Sequence, residues 1–204
     1  MTPKVFSVFE AQSAEELAAR YDEWSASYEE DMDDHGGPAE AAAVVERYVD
    51  RGARILDAGC GTGIPGKLLA ERGYAKIEGL DLSAGMLREA GKKGCYTALH
   101  RQTLGEPLTF ETGSFDAVLS VGVFARAHAP ARSFEELIRI TRPGGHIIFT
   151  LRPEFYVATD FKATMASLAE SGKWRWVETT EPFDGRFQHF PGISLQVWVY
   201  QAGV

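Results

Sequence analysis

The sequence predicts an α/β fold with a doubly wound, mostly parallel seven-stranded sheet, an antiparallel last strand and N-terminal helices that form a lid. From residue 53 onward, strand-like and helix-like segments alternate, which is typical of a parallel sheet. A glycine-rich turn at residues 59–66 follows the first strand-like run, as in folds that bind nucleotide cofactors. The last two strand-like runs have no long helix between them, which predicts a hairpin.

Helices are expected before the first strand. Ser13 and Glu16 have the spacing of a capping box, which marks a helix start. Residues at helical spacing then follow on one face: Leu17, Tyr21, Trp24 and Tyr28. A second helix is predicted near residues 39–50, and Gly52 would end it. These helices could cover the ligand side of the sheet.

The remaining elements follow in a regular order. Strands are expected near residues 54–58, 76–82, 96–99, 115–121, 146–151, 174–180 and 194–200, and helices near residues 65–71, 83–90 and 159–170. A second capping box, Ser133 with Glu136, predicts a further helix before the fifth strand. Residues 142–145, Arg-Pro-Gly-Gly, predict the turn between that helix and that strand. Ligands of such sheets bind beyond the carboxyl ends of the parallel strands.

Length and composition are ordinary for one globular domain, because the chain has 204 residues, of which 45% are hydrophobic and 25% charged. We expect a single domain over residues 1–204, with a lid in residues 1–52 and the cofactor-binding core and substrate-side hairpin in residues 53–204. The formal charge of −8 opposes nucleic-acid phosphates. Cys60 and Cys95 fit neither a disulfide framework nor a metal motif, and no apolar run reaches transmembrane length. A cytoplasmic protein is expected; the oligomeric state stays open.

The glycine turn is the strongest signal for a cofactor. Gly59, Gly61 and Gly63 lack Cβ atoms, so the chain can turn sharply and a ligand can approach the backbone N–H groups. The spacing that continues to Gly66 also fits a dinucleotide, so glycine spacing alone leaves a nicotinamide cofactor and S-adenosylmethionine open. Asp57 favours the second. Its carboxylate suits a ligand with a sulfonium and an ammonium, whereas a pyrophosphate needs bare N–H donors and a positive helix terminus.

A second carboxylate points to adenosine. Asp81 ends the second predicted strand, about 20 residues past the glycine turn. An acid at this point can accept hydrogen bonds from the two ribose hydroxyls of many adenosine cofactors. This signal supports adenosine in general and does not distinguish one adenosine cofactor from another.

Four segments in sequence order carry a resemblance: residues 55–63 (ILDAGCGTG), 79–83 (GLDLS), 115–118 (FDAV) and 142–145 (RPGG). Together they resemble class I S-adenosylmethionine-dependent methyltransferases, whose fold is Rossmann-like. Residues 21–24 (YDEW), Tyr28 and residues 188–192 (QHFPG) are also similar to a small methyltransferase-like group typified by the Williams-Beuren syndrome chromosomal-region methyltransferase.

The resemblance implies methyl transfer from S-adenosylmethionine to a small-molecule acceptor, with S-adenosylhomocysteine as product. Its implied contacts are Asp57, Gly59, Gly61 and Gly63 around the methionyl part, Asp81 at the ribose, Leu82 and Met86 at the adenine, Ser120 and Val121 at the methionyl ammonium, and Trp24 and Tyr28 over the cofactor. The family commonly has an acid after the third strand that accepts from the adenine amino group. Here Thr103 and Leu104 occupy that place, so the Thr103 hydroxyl or backbone groups near Leu104 would substitute.

Three residues are candidates for a role toward the acceptor. His128 follows the fourth predicted strand and His189 lies between the last two, so each could act as a base near neutral pH or be an ordinary surface residue. Arg152, at the carboxyl end of the fifth strand, could bind an anionic substrate or pair with Glu154.

Other functions stay open at this point. A nicotinamide-dependent oxidoreductase fits the glycine spacing but not Asp57. A non-catalytic protein that binds S-adenosylmethionine is the second alternative, because a complete cofactor site without an identified base can also serve as a sensor. An RNA or DNA methyltransferase is disfavoured by the acidic charge and by the lack of an Asn/Asp-Pro-Pro-Tyr/Phe motif.

Overall fold

The computed structural model describes residues 4–32, 36–187, 189 and 191–203, so the segment at residues 188–192 lies partly outside the described residues. The strands are β1 (Arg54–Ala58), β2 (Lys76–Asp81), β3 (Ala98–Arg101), β4 (Phe115–Ser120), β5 (Thr141–Leu151), β6 (Trp174–Thr179), β7 (Phe183–Asp184) and β8 (Ser194–Ala202). The helices are α1 (Lys4–Val8), α2 (Ala14–Trp24), α3 (Tyr28–Met32), α4 (Gly37–Tyr48), α5 (Ile64–Glu71), α6 (Ala84–Lys92), α7 (Ser133–Ile140), α8 (Pro153–Ala158) and α9 (Phe161–Glu170).

The strands form one sheet in the order β3-β2-β1-β4-β5-β8-β6, and the two-residue β7 pairs with the start of β8. Strands β1 to β5 pair in parallel, whereas β8 runs antiparallel to both β5 and β6. The predicted doubly wound sheet with an antiparallel last strand is therefore confirmed. The strand order reverses between β1 and β4, and ligands bind at this kind of switch point in open α/β sheets.

Hydrophobic clusters lie on both faces of the sheet because successive strand side chains point to opposite faces. Ile55 and Leu56 are adjacent in β1 and fully buried, yet they belong to different clusters. Phe134 of α7 lies in the same cluster as Leu56, and Leu69 of α5 lies in the same cluster as Ile55. The helices thus cover both faces of the sheet, which leaves the ends of the strands for binding.

The N-terminal helices pack on one another and are attached to the core. Asp22 of α2 accepts hydrogen bonds from the Ser83 hydroxyl at 2.5 Å and from the Gly85 N–H at 2.6 Å. Although burial opposes ionisation, these bonds hold the pKa of Asp22 below its usual value. A Cβ atom at Gly85 would lie 2.8 Å from the Asp22 Cα, so glycine is required for this approach. None of the helices in the described ranges combines the length and apolar character needed to cross a membrane.

The first predicted capping box is half formed, because Glu16 accepts from the Gln12 N–H rather than from Ser13, and the second is absent. Ser13 accepts from the Glu16 N–H at the start of α2. Ser133, in contrast, is the first residue of α7, and its hydroxyl is buried without a hydrogen-bond partner among the described residues. The Ser133 N–H donates to the Pro130 carbonyl, so a backbone turn starts the helix earlier and turns this side chain inward. Glu136 accepts from the Leu108 N–H instead of serving as a cap.

Two further predictions differ in detail. The third strand begins at Ala98 rather than at residue 96, because the Tyr96 side chain points toward Asp57 beneath the glycine turn. Residues 142–145 lie within β5, where the pairing shifts from Phe115–Thr141 to Ala117–His146. They therefore form an irregularity of the strand rather than a separate turn. The short helices α1 and α8 have no counterpart in the sequence prediction.

Candidate active site

A cavity of about 400 Å³ lies at the carboxyl edge of the parallel strands, partly beneath α2. Nine of the predicted cofactor residues line it: Tyr28, Gly59, Gly61, Asp81, Leu82, Met86, Thr103, Leu104 and Val121. They come from the ends of β1, β2, β3 and β4 and from the lid. The fold therefore brings most of the predicted cofactor site together, and we name this space the first cavity.

The glycine turn forms the floor of the first cavity. The Gly59 and Cys60 N–H groups donate to the Leu80 carbonyl at 2.7 and 2.9 Å, which joins the turn to the end of β2. Gly61 has a φ of 53°, in the left-handed region, and a Cβ atom there would meet no heavy atom within 4 Å. The side of Gly61 on which a Cβ atom would lie faces open space, as expected where a ligand approaches the backbone.

Asp81 lies in the wall of the first cavity. Its two carboxylate oxygens accept from the N–H groups of Gly61 and Ser83, both at 2.9 Å. Burial raises the pKa of Asp81 to about 6, although these hydrogen bonds favour the ionised form. A carboxylate offers about four acceptor positions, so these bonds leave acceptor capacity for ligand hydroxyls.

Asp57 lies beneath the glycine turn and does not line the first cavity. It is fully buried, and burial raises its pKa to about 7. One oxygen accepts from the Tyr96 hydroxyl at 2.7 Å, and the other, Oδ1, has no hydrogen-bond partner among the described residues. A negative charge here favours a cationic ligand in the turn above it through its field rather than through contact.

Tyr96 is a site residue that sequence reasoning missed. Besides binding Asp57, it packs against Gly66, where a Cβ atom would lie 2.2 Å from the tyrosine hydroxyl oxygen. The last glycine of the fingerprint thus makes room for Tyr96. No local pattern signals this contact, because Gly66 and Tyr96 are distant in sequence.

Besides Asp57, three predicted cofactor residues do not line the first cavity. The Ser120 hydroxyl donates to the Ala58 carbonyl at 2.8 Å and is buried between strands. Gly63 is the N-cap residue of α5, with a φ of 91°. Trp24 is only 2% exposed, and its indole donates to Asp31 at 2.7 Å. Each supports neighbouring segments of the site.

The segment after β3 contributes both predicted residues and one acid. Thr103 and Leu104 line the first cavity, and so does Glu106, whose carboxylate lies 3.4 Å from the Arg132 guanidinium. An acid therefore does lie near this wall, three residues beyond Thr103. The resemblance did not point to Glu106, because the family has its acid at the position that Thr103 occupies here.

A smaller cavity of about 130 Å³ adjoins the first, and we name it the second cavity. The two share four lining residues: Tyr21, Tyr28, Val121 and Gly122. The Gly122 N–H donates to the Thr150 hydroxyl at 2.8 Å, which connects the loop after β4 to β5 at this shared wall. The second cavity otherwise has mainly apolar walls, supplied largely by α1 to α3 and by the segments after β4 and β5.

Arg152 lines the second cavity and is the one charged residue among its described lining residues. Its Nε is buried and has no hydrogen-bond partner in the described part of the chain. The alternative ion pair with Glu154 is absent, although both residues are described.

His128 lies at the first cavity, facing α2. Its Nδ1 is 2.7 Å from the Arg126 carbonyl, which can only accept, so Nδ1 carries the proton. Nε2 therefore accepts from the Tyr21 hydroxyl, also at 2.7 Å. Burial lowers the pKa of His128, which keeps the ring neutral near pH 7. His189, by contrast, lines neither cavity, and its ring lies 6.4 Å from that of Phe6.

These features define a Rossmann-like protein with a site for an adenosine cofactor. Asp81 has acceptor positions left for ribose hydroxyls, Leu82 and Met86 offer apolar contacts for a base, and two buried acids favour a positive charge over a pyrophosphate. The orphaned Oδ1 of Asp57 and the open face of Gly61 fit S-adenosylmethionine, whose sulfonium and ammonium are cationic.

Comparison with known proteins gives the family. Residues 56–149 match a family model described as methyltransferase domain. The chain is 34% identical to human methyltransferase-like protein 27 over 163 residues, which cover 76% of this chain and 66% of that protein. The chain belongs to the class I S-adenosylmethionine-dependent methyltransferases, and S-adenosylmethionine is its cofactor.

Other relatives have different acceptors. A ubiquinone biosynthesis O-methyltransferase of Sodalis glossinidius is 33% identical over 103 residues, 48% of this chain and 41% of that protein. A Bos taurus 18S rRNA (guanine-N(7))-methyltransferase is 28% identical over 131 residues, 59% of this chain and 46% of that protein. The chain thus spans about two thirds of the human relative and less than half of these two.

A solved structure shows the same fold. The [4+2]-cyclase SpnF aligns with a TM-score of 0.76 and 17% identity, and the match covers 95% of this chain and 97% of that chain. At this identity the similarity concerns the fold alone.

Proposed function

We propose that the protein transfers the methyl group of S-adenosylmethionine to a small-molecule acceptor. The observation that carries this proposal is the shared wall between the cavities, formed in part by Tyr21, Val121 and Gly122. A cofactor in the first cavity and an acceptor in the second would meet there. The lid, residues 1–52 of a single domain, supplies walls to both cavities and would exclude water from the reaction.

The proposed cofactor contacts follow from the lining of the first cavity. Asp81 accepts from the ribose hydroxyls, and Leu82 and Met86 flank the adenine. Thr103 and Leu104 offer a hydroxyl and backbone groups to the adenine edge. These side chains lie on the rigid ends of β2 and β3 or close after them, which suits precise positioning.

The methionyl end is assigned to the glycine turn and the segment after β4. Gly59 and Gly61 provide close backbone approach, and backbone groups at Val121 bind the ammonium. Asp57 acts from below by its charge. Tyr28 closes the upper side, whereas Trp24, Gly63 and Ser120 hold these segments in place.

The cofactor supplies an electrophilic methyl group, so the main task of the protein is alignment, which can contribute about 7 to 11 kcal/mol in ideal cases. For a hydroxyl acceptor we assign proton removal to Tyr21 and His128. The Tyr21 oxygen takes the acceptor proton while its own proton passes to Nε2 of His128, 2.7 Å away. Tyr21 stays neutral, and His128 becomes an imidazolium that keeps its bond to the Arg126 carbonyl. His189 has no part in this scheme.

The acceptor class can be tested with radiolabelled S-adenosylmethionine. The protein would be incubated separately with a small-metabolite extract and with total RNA. We expect label in the metabolite fraction and none in RNA, because the chain is acidic and the second cavity is small. Label in RNA alone would replace this proposal with an RNA methyltransferase, and cofactor binding without any labelled product would favour a non-catalytic binding protein.

A matched pair of variants shows whether the label depends on this site. Asp81→Asn should weaken S-adenosylhomocysteine binding by about 10- to 100-fold, because a charge-assisted hydrogen bond contributes roughly 1.5–3 kcal/mol. Asp160→Asn, at an exposed residue outside both cavities, should bind as the unaltered protein does. Equal affinity in all three proteins would show that the cofactor binds elsewhere.

A further inference from the structure

We propose that the acceptor has an apolar or aromatic body with one carboxylate, and that Arg152 binds this carboxylate in the second cavity. The inference rests on the proposed function and adds a chemical class of substrate to it. Arg152 directly follows Leu151, the last residue of β5, so the sheet fixes its backbone. Arg152 thus has a defined place in the wall of the second cavity.

The first argument is electrostatic. The buried Nε of Arg152 has no acceptor among the described residues, and its neighbour Glu154 does not pair with it. A buried charged donor without a partner is costly, and an anion that reaches it recovers this free energy. The guanidinium fork matches the two oxygens of a carboxylate.

The second argument concerns the number of negative charges on the ligand. No other cation belongs to the described lining of the second cavity, so Arg152 can balance one negative charge. A phosphate monoester carries close to two charges near pH 7 and would keep part of its charge unbalanced against apolar walls. The site therefore favours a monovalent carboxylate.

The third argument is the nature of the walls. Apolar and aromatic side chains surround the rest of the second cavity: Val8, Trp24, Phe124, Leu151, Ile193 and Leu195. Such walls favour an apolar body through burial of its surface, and the rings suit an aromatic one. An apolar body and one anionic end are thus the two features the lining selects.

The location of Arg152 also orients the acceptor. Arg152 lines the second cavity but not the first, whereas Tyr21 and Val121 line both. Arg152 is not part of the shared wall, so a carboxylate bound to it leaves another part of the molecule to face the cofactor. The carboxylate is accordingly an anchor, and a different group receives the methyl.

The test uses a pair of probes with nearly equal shape, phenylacetate and phenylacetamide. Their binding to protein saturated with S-adenosylhomocysteine would be measured by calorimetry or by NMR titration. We expect phenylacetate to bind about tenfold more tightly than the amide, because a charge-assisted contact adds roughly 1.4 kcal/mol or more. Arg152→Gln should reduce this preference to less than about twofold.

Control variants distinguish loss of the contact between Arg152 and the carboxylate from loss of the fold. Arg175→Gln changes an exposed arginine that binds Gln201 and lines neither cavity, so the preference for phenylacetate should persist. Arg152→Lys keeps the charge and should retain part of the preference. S-adenosylhomocysteine should bind Arg152→Gln as it binds the unaltered protein, because Arg152 does not line the first cavity.

Three outcomes would overturn the inference: equal affinity for acid and amide, a preference that survives Arg152→Gln, or no binding of either probe. Because the assay reads binding and not turnover, it is independent of the proposed function. A carboxylate preference without methyl transfer to any acceptor would refute the proposed function and support carboxylate binding by Arg152. Methyl transfer to a neutral acceptor at an unchanged rate in Arg152→Gln would refute carboxylate binding by Arg152 and leave the proposed function intact.

Discussion

The hydroxyl of Tyr21 lies 2.7 Å from Nε2 of His128, which joins helix α2 to the loop after β4. The next residue, Asp22, accepts hydrogen bonds from Ser83 and Gly85 at the start of α6. Two consecutive residues of the lid are thus attached to two different segments of the core. These polar contacts act together with the apolar packing of the N-terminal helices, which includes Leu82 of the core.

Loss of the Tyr21 hydroxyl should weaken cofactor binding. Tyr21→Phe leaves Nε2 of His128 without its donor, and an unmade buried hydrogen bond costs about 1–3 kcal/mol. We expect the Kd of S-adenosylhomocysteine to rise about 5-fold or more, measured by isothermal titration calorimetry. Tyr48→Phe is the control, because Tyr48 binds Glu178 and lines neither cavity. An unchanged Kd in Tyr21→Phe would show that the lid does not depend on this contact.

The two candidate histidines should differ in their effect on turnover. With a hydroxyl acceptor, His128→Ala removes the proton acceptor next to Tyr21 and should lower kcat by about 100-fold or more. His189→Ala should change kcat by less than about twofold, because His189 lines neither cavity and general acid–base catalysis needs contact with the reacting group. Release of S-adenosylhomocysteine gives the rate. Loss of turnover in His189→Ala and not in His128→Ala would reverse the assignment.

Gly66→Ala should destabilise the protein. The new Cβ atom would lie 2.2 Å from the Tyr96 hydroxyl oxygen, and a shift of Tyr96 would disturb its bond to Asp57. Overpacking of this kind costs about 1–3 kcal/mol in the free energy of unfolding, measured by urea denaturation. Gly52→Ala is the control, because a Cβ atom there meets nothing within 4 Å. In a Tyr96→Ala background the cost at Gly66 should largely disappear, and an equal cost in both backgrounds would exclude this steric explanation.

In the cofactor-free protein, Asp57 and Asp81 should contribute less to stability as the pH rises between about 4 and 7. In the folded state the pKa of Asp57 is raised to about 7 and that of Asp81 to about 6, against an ordinary value of 3.8. At these two carboxyls the folded state therefore binds more protons than the unfolded state in this window, so their contribution to the free energy of unfolding falls with pH and levels off above it. Urea denaturation across the window measures the slope.

Variants identify the carboxylate responsible for this slope. Asp57→Asn removes one titrating group and should make the slope shallower, whereas Asp50→Asn, at an exposed residue, should leave it unchanged. S-adenosylmethionine should restore stability above pH 7, because a cationic ligand favours both ionised acids. A slope that is the same in Asp57→Asn and in the unaltered protein would show that Asp57 does not titrate in this range.

Much of the fold could be predicted from the sequence because its signals are local. The glycines at 59, 61 and 63 adopt positive φ values, which the absence of a Cβ atom permits, and the alternation of helices and strands fixed the parallel sheet. The second capping box failed because Ser133 and Glu136 match a local pattern, whereas the backbone turn at Pro130 and the burial of Ser133 decide the helix start.

The sequence by itself indicated the mostly parallel sheet with its antiparallel last strand, the cofactor class and the residues at the strand ends, since each of these depends on local patterns in the chain. Tertiary structure alone decided that Asp57 lies beneath the turn and bonds to Tyr96, and that Tyr21 bonds to His128. It also decided that Arg152 faces an apolar cavity without a partner. These relationships join residues that are distant in sequence or depend on burial, and only folding sets the distances and the desolvation that give them their chemistry.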